Sequence, residues 1–315
     1  MQRKPFRCFL FKSKILIDYA YLCSKEWTSS KINMKITVIT PTFNSEKFIR
    51  QNVQSILSQT HTDYEHIIID NQSKDATLSI IREEYDAKAL TEKLVVVSEN
   101  DNGIAEAFNK GVTLASGEVI AFLNSDDFYF SDDVFQKVNG AFNGNEILFV
   151  HGNIFFEDEK YGSNIRKPLM CKLQQGMPFN HPAMFMRKKC FEQAGVFDST
   201  FRFAMDFELL CQMSDRTPNF LKKGFYLNGI PLVHMRGGGA SWLQEKESVG
   251  EVKKALKKNK LWNVSAGYYY ALRRLRIFLK SYMDKTGLLI LVNFGEKLNG
   301  NESANKNLLS YSCKR

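Results

Sequence analysis

Residues 119–127 read VIAFLNSDD, five apolar side chains followed by Asn124, Ser125, Asp126 and Asp127. A short continuous apolar run that ends in turn residues marks a strand covered on both faces, the kind found in parallel sheets. Upstream, residues 35–40 (KITVIT), 66–70 (HIIID) and 94–98 (LVVVS) have the same character. Between them Ile49, Val53, Ile56 and Leu57 recur at helical spacing, as do Leu78, Ile81 and Tyr85, and another helix is expected over 105–115. Strands that alternate with helices predict an α/β fold with a doubly wound, mostly parallel sheet. Pro41 is expected to end the first strand, and Asn44 and Ser45 to cap the next helix with Glu46 in its first turn. Such sheets bind ligands beyond the carboxyl ends of their strands. Segments 41–44, 70–75 and 124–127 should therefore line one crevice. Residues 145–245 mix strands and helices without clean alternation and are expected to extend the same sheet.

Several side chains in those segments have chemistry to offer. Adjacent carboxylates at 126 and 127 repel each other and are costly unless a cation or hydroxyl donors compensate. Mg²⁺ or Mn²⁺ binds through one or two carboxylates plus substrate phosphates; the plainer reading makes the pair turn residues, as Asp132 and Asp133 look to be. Asp70, at a strand end, has the acceptor that an imide N–H of a uracil ring requires, whereas Asp75 reads as a helix cap. Phe43 either stacks on a base or covers the sheet end. Asp206, within FAMDFELL, sits near a helix start among apolar residues. Such surroundings raise a carboxylate pKa and suit a general base, although an isolated Asp there is more often a cap. His181 and His234 read as structural by default. The glycine run after His234 lacks the strand–turn–helix unit of a dinucleotide site.

The net charge of +9 is unevenly spread. Residues 1–33 carry seven Lys/Arg against two Asp/Glu, and residues 246–285 carry eleven against three, which leaves the body acidic. Nucleic-acid binding by the body is disfavoured on that distribution. Six scattered cysteines form no C-x-x-C pair and read as reduced thiols. The first 33 residues offer neither an uncharged span nor an unbroken apolar signal core, so the chain is expected to stay in the cytoplasm. In the tail, Val264, Tyr268, Ala271, Leu272, Leu275, Phe278, Leu279 and Tyr282 fall on one arc of a helical wheel. Arg273, Arg276 and Lys280 fall opposite and Arg274 on the flank; Tyr270 and Ile277 break the pattern. This is the pattern of a helix lying in an anionic membrane surface. The same pattern also serves a helix docked on the body with its arginines in solvent. The apolar run 288–292 is too short to span a membrane.

Taken in order, VITPTFNSEKFI, HIIIDNQSKDAT and NGIAEAFNKGVTLASGEVIAFLNSDD resemble the family-2 inverting glycosyltransferases of GT-A fold. NHPAMFMRKKCFEQAGVFD and AMDFELL resemble that family's acceptor-side segment, and HMRGGGAS its closing element. The resemblance implies that Pro41 and Phe43 line a uracil pocket, that Asp70 accepts from the base, and that Asp126 binds the ribose. It further implies that Asp127 coordinates Mg²⁺ or Mn²⁺ on the diphosphate, that Asp206 is the catalytic base, and that His181 lies on the acceptor side. The sequence departs from the family pattern at Gln72, Asn124 and Met205, and it lacks the Q-x-x-R-W segment of processive members. The expected organisation is an N-terminal extension (1–33) that is dispensable, a GT-A domain (34–245, with its donor half at 34–130 and acceptor half at 131–245), and a basic helical tail (246–315). The expected activity is transfer of one sugar from a nucleotide-sugar donor, UDP-hexose or UDP-N-acetylhexosamine, to a glycan or lipid-linked acceptor at the inner face of the cell membrane. The competing classes are a non-catalytic nucleotide-sugar-binding protein and a nucleotidyltransferase. The latter needs a glycine-rich basic loop that PTFNSEKF does not supply.

Overall fold

Four strands carry the half of the sheet outlined by the apolar runs: β1 (Ile36–Thr42), β2 (Tyr64–Asp70), β3 (Leu94–Ser98) and β4 (Val119–Phe122). The computed structural model describes residues 33–158, 162–238 and 244–286. The extension expected over 1–33 (Asn33 apart), the run 288–292, and Cys8, Cys23 and Cys313 lie outside the described residues. The four strands are mutually parallel in the order β3-β2-β1-β4. Every residue of β2 and β4 is buried, as coverage on both faces demands. Side-chain alternation divides the β2 isoleucines between the two faces. Ile68 packs with Ile49 and Val53 of α1 (Ile49–Leu57) and with Ile81 and Tyr85 of α2 (Thr77–Lys88). Ile67 and Ile69 enter the larger core beside Phe108 and Val112 of α3 (Ile104–Leu114).

Two local expectations fail here. β1 does not end at Pro41 but runs on to Thr42. The Ile39 carbonyl accepts from Leu123 on the β4 side, whereas the Thr42 carbonyl accepts from Asn71 on the β2 side. Alternate residues bond to opposite neighbours, so Pro41 turns its missing N–H toward β4, whose pairing has already stopped at Ile39–Phe122. Nor do Asn44 and Ser45 cap α1, which begins four residues later at Ile49. They are spent on joining two loops instead. Asn44 N–H donates to Ser73 Oγ (2.9 Å) and Asn44 Oδ1 accepts from Lys74 N–H (2.8 Å). Glu46 and Asp75 exchange backbone-to-carboxylate bonds across the same gap, Glu46 N–H to Asp75 and Ala76 N–H to Glu46. Asp75 stands one residue before the N-cap Ala76 and so is not itself the cap expected, though its carboxylate accepts the Thr77 N–H (3.0 Å) at the start of α2.

Beyond β4 the sheet continues through β9 (Met184–Arg187), antiparallel to both β4 and β6 (Phe149–Gly152), and ends at β10 (Gly224–Leu227), parallel to β6. A second sheet holds β5 (Phe128–Tyr129), β11 (Val233–Arg236), β7 (Ile154–Asp158) and β8 (Gly162–Arg166), in that order. β11 is antiparallel to β5, with His234 opposite Phe128, so it arrives directly beside the residues that follow Asp127. Between the sheets, Val134 and Phe135 of α4 (Val134–Ala141) pack on Phe185 and Tyr64.

The C-terminal helices are continuous with this core. Ala255 and Leu256 of α7 (Glu245–Lys258) and Ala266 of α8 (Val264–Thr286) share one apolar cluster with Phe207 and Leu210 of α6 (Met205–Arg216) and with Phe191 of α5 (Lys189–Ala194). The division expected at 245 thus falls inside a packed core. The Glu251 carboxylate on α7 accepts N–H bonds from Arg202, Phe203 and Ala204 at 2.7–2.9 Å. Backbone donors at and before a helix start have no partner inside the helix; here one carboxylate from another helix satisfies three. Further along α7, Lys258 reaches the buried Glu208 of α6 (2.6 Å) and Asp198 (2.7 Å).

Candidate active site

The carboxyl ends of β1, β2 and β4 deliver the expected turns to one edge of the sheet. Asp127 is 2% exposed. Its Oδ1 accepts the Arg236 backbone N–H (3.0 Å), while its Oδ2 is enclosed and has no hydrogen-bond partner among the described residues. Burial, reinforced by the neighbouring Asp126 charge, pushes its pKa well above the usual carboxylate value, and Arg236 only partly opposes this. Asp126 is half-buried; burial raises its pKa as well, with the Arg236 charge acting the other way.

The acidic turn is gripped from two sides by residues that the sequence reading did not single out. From α1, Asn52 Nδ2 donates to the carbonyls of Asn124 and Asp127, both at 2.9 Å. From β11, the Arg236 guanidinium donates to the Asp126 carbonyl and to Gln51 Oε1, between the Phe48 and Phe128 rings at 4.9 and 5.1 Å. Asn52 carried a legible signal, a polar residue on the same helical face as Ile49, Val53 and Ile56. Arg236 was marked only as part of HMRGGGAS, and its contact was not legible, because only the β5–β11 pairing brings position 236 to position 127.

Asp70 is fully buried and accepts four protein hydrogen bonds. Thr42 Oγ1 (3.0 Å) and the Ser73 hydroxyl meet Oδ1; Ser73 N–H (3.0 Å) and Ser98 Oγ (2.7 Å) meet Oδ2. Two carboxylate oxygens offer about four lone-pair sites, so Asp70 binds together the ends of β1, β2 and β3 and has no acceptor to spare in this conformation. Phe43, by contrast, is 60% exposed just past the end of β1. Pro41, half-buried, lies two residues behind it.

Asp206 is half-buried in the first turn of α6 and accepts the Phe207 N–H at 2.7 Å. His181 stands in a short 3₁₀ turn before β9, its ring stacked on Phe122 (5.8 Å between centroids, 14° between planes) with Phe108 and Phe197 around it. Its Nε2 is enclosed without a partner among the described residues. Burial lowers the His181 pKa and the Asp206 charge works against that shift, so the fold brings these two expected residues within electrostatic reach. His234 is structural in part: Nε2 bonds Glu157 (2.8 Å), and the ring lies between Phe128 and Phe155.

Among the described residues no three His, Cys, Asp or Glu side chains cluster as a closed metal cage. The acidic turn nevertheless fits a divalent cation. It presents two adjacent carboxylates, both of raised pKa, and one enclosed oxygen without a donor. The remaining coordination positions would fall to donor phosphates and water, as is usual for Mg²⁺.

Known proteins agree with this architecture. Residues 37–212 match the model of glycosyl transferase family 2. A putative teichuronic acid biosynthesis glycosyltransferase, TuaG of Bacillus subtilis, is 39% identical over 104 residues, which are 33% of this chain and 40% of TuaG. A PGL/p-HBAD biosynthesis glycosyltransferase of Mycobacterium bovis is 28% identical over 176 residues, 55% of this chain and 66% of that protein. The chain thus spans less than two thirds of the length of these relatives. The crystal structure of S. aureus TarS 1–349 with UDP superposes with a TM-score of 0.57 at 20% identity, covering 75% of this chain and 68% of that one. With more than half of its length matched by the family model, an acidic turn at the end of β4 and a GT-A sheet behind it, the chain belongs to glycosyl transferase family 2.

Proposed function

We propose that the protein transfers one sugar, with inversion, from a nucleotide-sugar donor to a hydroxyl of a glycan or lipid-linked acceptor in cell-envelope polysaccharide synthesis, at the inner face of the cell membrane. The donor is UDP-hexose or UDP-N-acetylhexosamine. The enclosed, donorless Oδ2 of Asp127 beside a second carboxylate carries this reading, because it is a costly arrangement that a divalent cation held there would relieve. Support also comes from a relative named for teichuronic acid biosynthesis, from TarS with UDP, and from a Pyrobaculum calidifontis mannosyltransferase of similar fold (TM-score 0.56) seen with GDP-Man and Mn²⁺.

In this reading Asp127 holds Mg²⁺ or Mn²⁺ and Asp126 accepts from a ribose hydroxyl. When bound, the cation supplies positive charge to the departing diphosphate. Phe43 stacks on the uracil ring and Pro41 lines its pocket. Asp70 becomes an acceptor for the base by exchanging one Ser73 hydrogen bond for the ring N–H. Asp206 takes the proton of the acceptor hydroxyl while that oxygen forms the new glycosidic bond. The bond from the anomeric carbon to the nucleoside diphosphate breaks on the opposite side, which inverts the anomeric centre. His181 stands beside this base on the acceptor side.

The test is Asp127→Ala. Metal-dependent binding of UDP-sugar and transfer should both disappear, while circular dichroism and Tm stay those of a folded protein. Unaltered metal-dependent binding would remove Asp127 from the site. The anomeric configuration of the product, read by NMR, checks inversion separately.

A further inference from the structure

We infer that the outward face of α8 is a membrane-docking surface for an anionic lipid bilayer. The helix is two-sided. One side joins the body: Ala266 is buried in the core, Tyr269 receives a hydrogen bond from Gln175 (2.9 Å), and Arg273 donates to the Gln175 carbonyl (2.7 Å). Tyr270 packs edge-on against Trp262 (5.9 Å) with the Lys253 ammonium 4.8 Å from its ring. The two residues that broke the amphipathic pattern, Tyr270 and Ile277, lie on this half-buried side, as does Arg273. The docked arrangement with all arginines in solvent is therefore not the one adopted.

Docking by that side turns the apolar arc outward. Tyr268, Leu272, Leu275, Phe278, Leu279 and Tyr282 are each between 42% and 65% exposed. From Tyr268 to Tyr282 this stripe runs about 21 Å along one helix face. So long an exposed apolar stripe is unusual on a soluble surface and marks a partner. Charge identifies which partner. Arg274 and Arg276, both exposed, lie about 100° to either side of the stripe centre, Arg274 with its charge uncompensated among the ion pairs described and Arg276 paired with Glu245. Exposed Lys254, Lys257 and Lys260 on and after α7 add to a segment with eleven basic residues against three acidic ones. Two copies pairing through this face would bring together two Arg274 side chains and the lysines of α7, with only the Arg276 charges balanced by Glu245. A bilayer offers acyl chains to the stripe and anionic headgroups to its flanks. A tyrosine at either end, apolar ring below and hydroxyl above, suits the headgroup layer. No helix among the described residues is long and apolar enough to cross a membrane, so the contact is a surface one. Only its purpose, holding the site near a lipid-linked acceptor, rests on the sugar-transfer reading.

The experiment uses the full chain and the double variant Leu275→Ser/Phe278→Ser with phosphatidylcholine vesicles, with and without phosphatidylglycerol, at low and high salt. The full chain should bind the phosphatidylglycerol vesicles preferentially and release them in high salt. The variant should keep its Tm and lose at least about tenfold in vesicle affinity, since each buried Leu or Phe is worth about a factor of ten or more. Failure of the full chain to bind overturns the inference, as does a variant that binds equally well or unfolds. So does a dimer that the variant dissolves while neither protein binds vesicles. Transfer to a soluble acceptor, measured on the same samples, should be unchanged. Its absence from both proteins with vesicle binding intact counts against the sugar-transfer reading and leaves this surface standing.

Discussion

Asp127 and Asp206 are carboxylates with opposite surroundings, and their substitutions should differ in kind. Asp127 is enclosed among fixed neighbours that hold both its backbone and one of its oxygens. Asp206 is half-open at a helix start, and only the next backbone N–H engages its carboxylate among the hydrogen bonds described. A general base contributes typically about 10²–10⁴-fold. Asp206→Asn should therefore lower kcat by at least the smaller figure, with donor affinity and Tm close to those of the parent. Isothermal titration with UDP-sugar alongside turnover separates the two. A parallel collapse of donor affinity would make Asp206 a donor ligand and not the base.

At the scale of elements, α7 is tied to the helix that carries Asp206, the proposed base. Glu251 closes the start of α6 from outside it, and Glu208 is held by Lys258 and Asn259. Loss of an N-terminal cap costs about 0.5–2 kcal/mol, and here three backbone donors would lose one partner. Glu251→Ala should lower stability by about that amount and lower kcat through a displaced Asp206, with donor affinity kept. The drop in Tm distinguishes it from Asp206→Asn. An unchanged Tm and an unchanged kcat would show that the α7–α6 link is idle. The same link means that deleting 246–315 tests folding before it tests anything about membranes, which is why point substitutions on α8 are the informative ones.

For the whole molecule, buried histidines set an acid limit. Burial drives His66 down to about 3 and His151 to about 4, and lowers His181 as well. Below about pH 6.5 the unfolded chain takes up protons on these rings that the folded chain refuses. Stability should then fall with pH by about 1.4 kcal/mol per unit for each of His66 and His151 down to about pH 4, with His181 acting in the same direction. Glu65 and Asp198, each held near 2 by their lysine partners and hydrogen-bond donors despite burial, add to the loss once pH falls below their unfolded values. The raised carboxylates at 126 and 127 act in the opposite sense, because the folded chain binds their protons more readily. The histidine contribution is isolated by comparing the parent with a variant that lacks one imidazole ring. Tm measured from pH 7 to 4 should fall, and less steeply in His151→Phe, which keeps the aromatic packing on Phe179 and Tyr226. A flat profile over that range would refute the assignment.

What the sequence determined by itself was the parallel half of the sheet and the edge at which its polar turns meet. Runs such as HIIID and VIAFL are apolar on both faces, and that composition allows little but a covered parallel strand whose polar end is a ligand edge. That Asp75 would serve a backbone donor at the start of α2 was also legible, since such bonds are settled within a few residues, although the cap position itself falls to Ala76. The fate of Pro41 was not, because its missing N–H matters only if a neighbouring strand is still there to receive it. Nor were the clamps legible. Arg236 reaches Asp126 and Asp127 across some 110 positions and Glu251 reaches α6 across nearly 50, and no local pattern marks either. In the tail, the sequence established that α8 has an apolar face, but the side that meets the body depended on where α7, Trp262 and Gln175 stand. Periodicity is a property of one helix; the choice of which face is left to solvent is made by the rest of the fold.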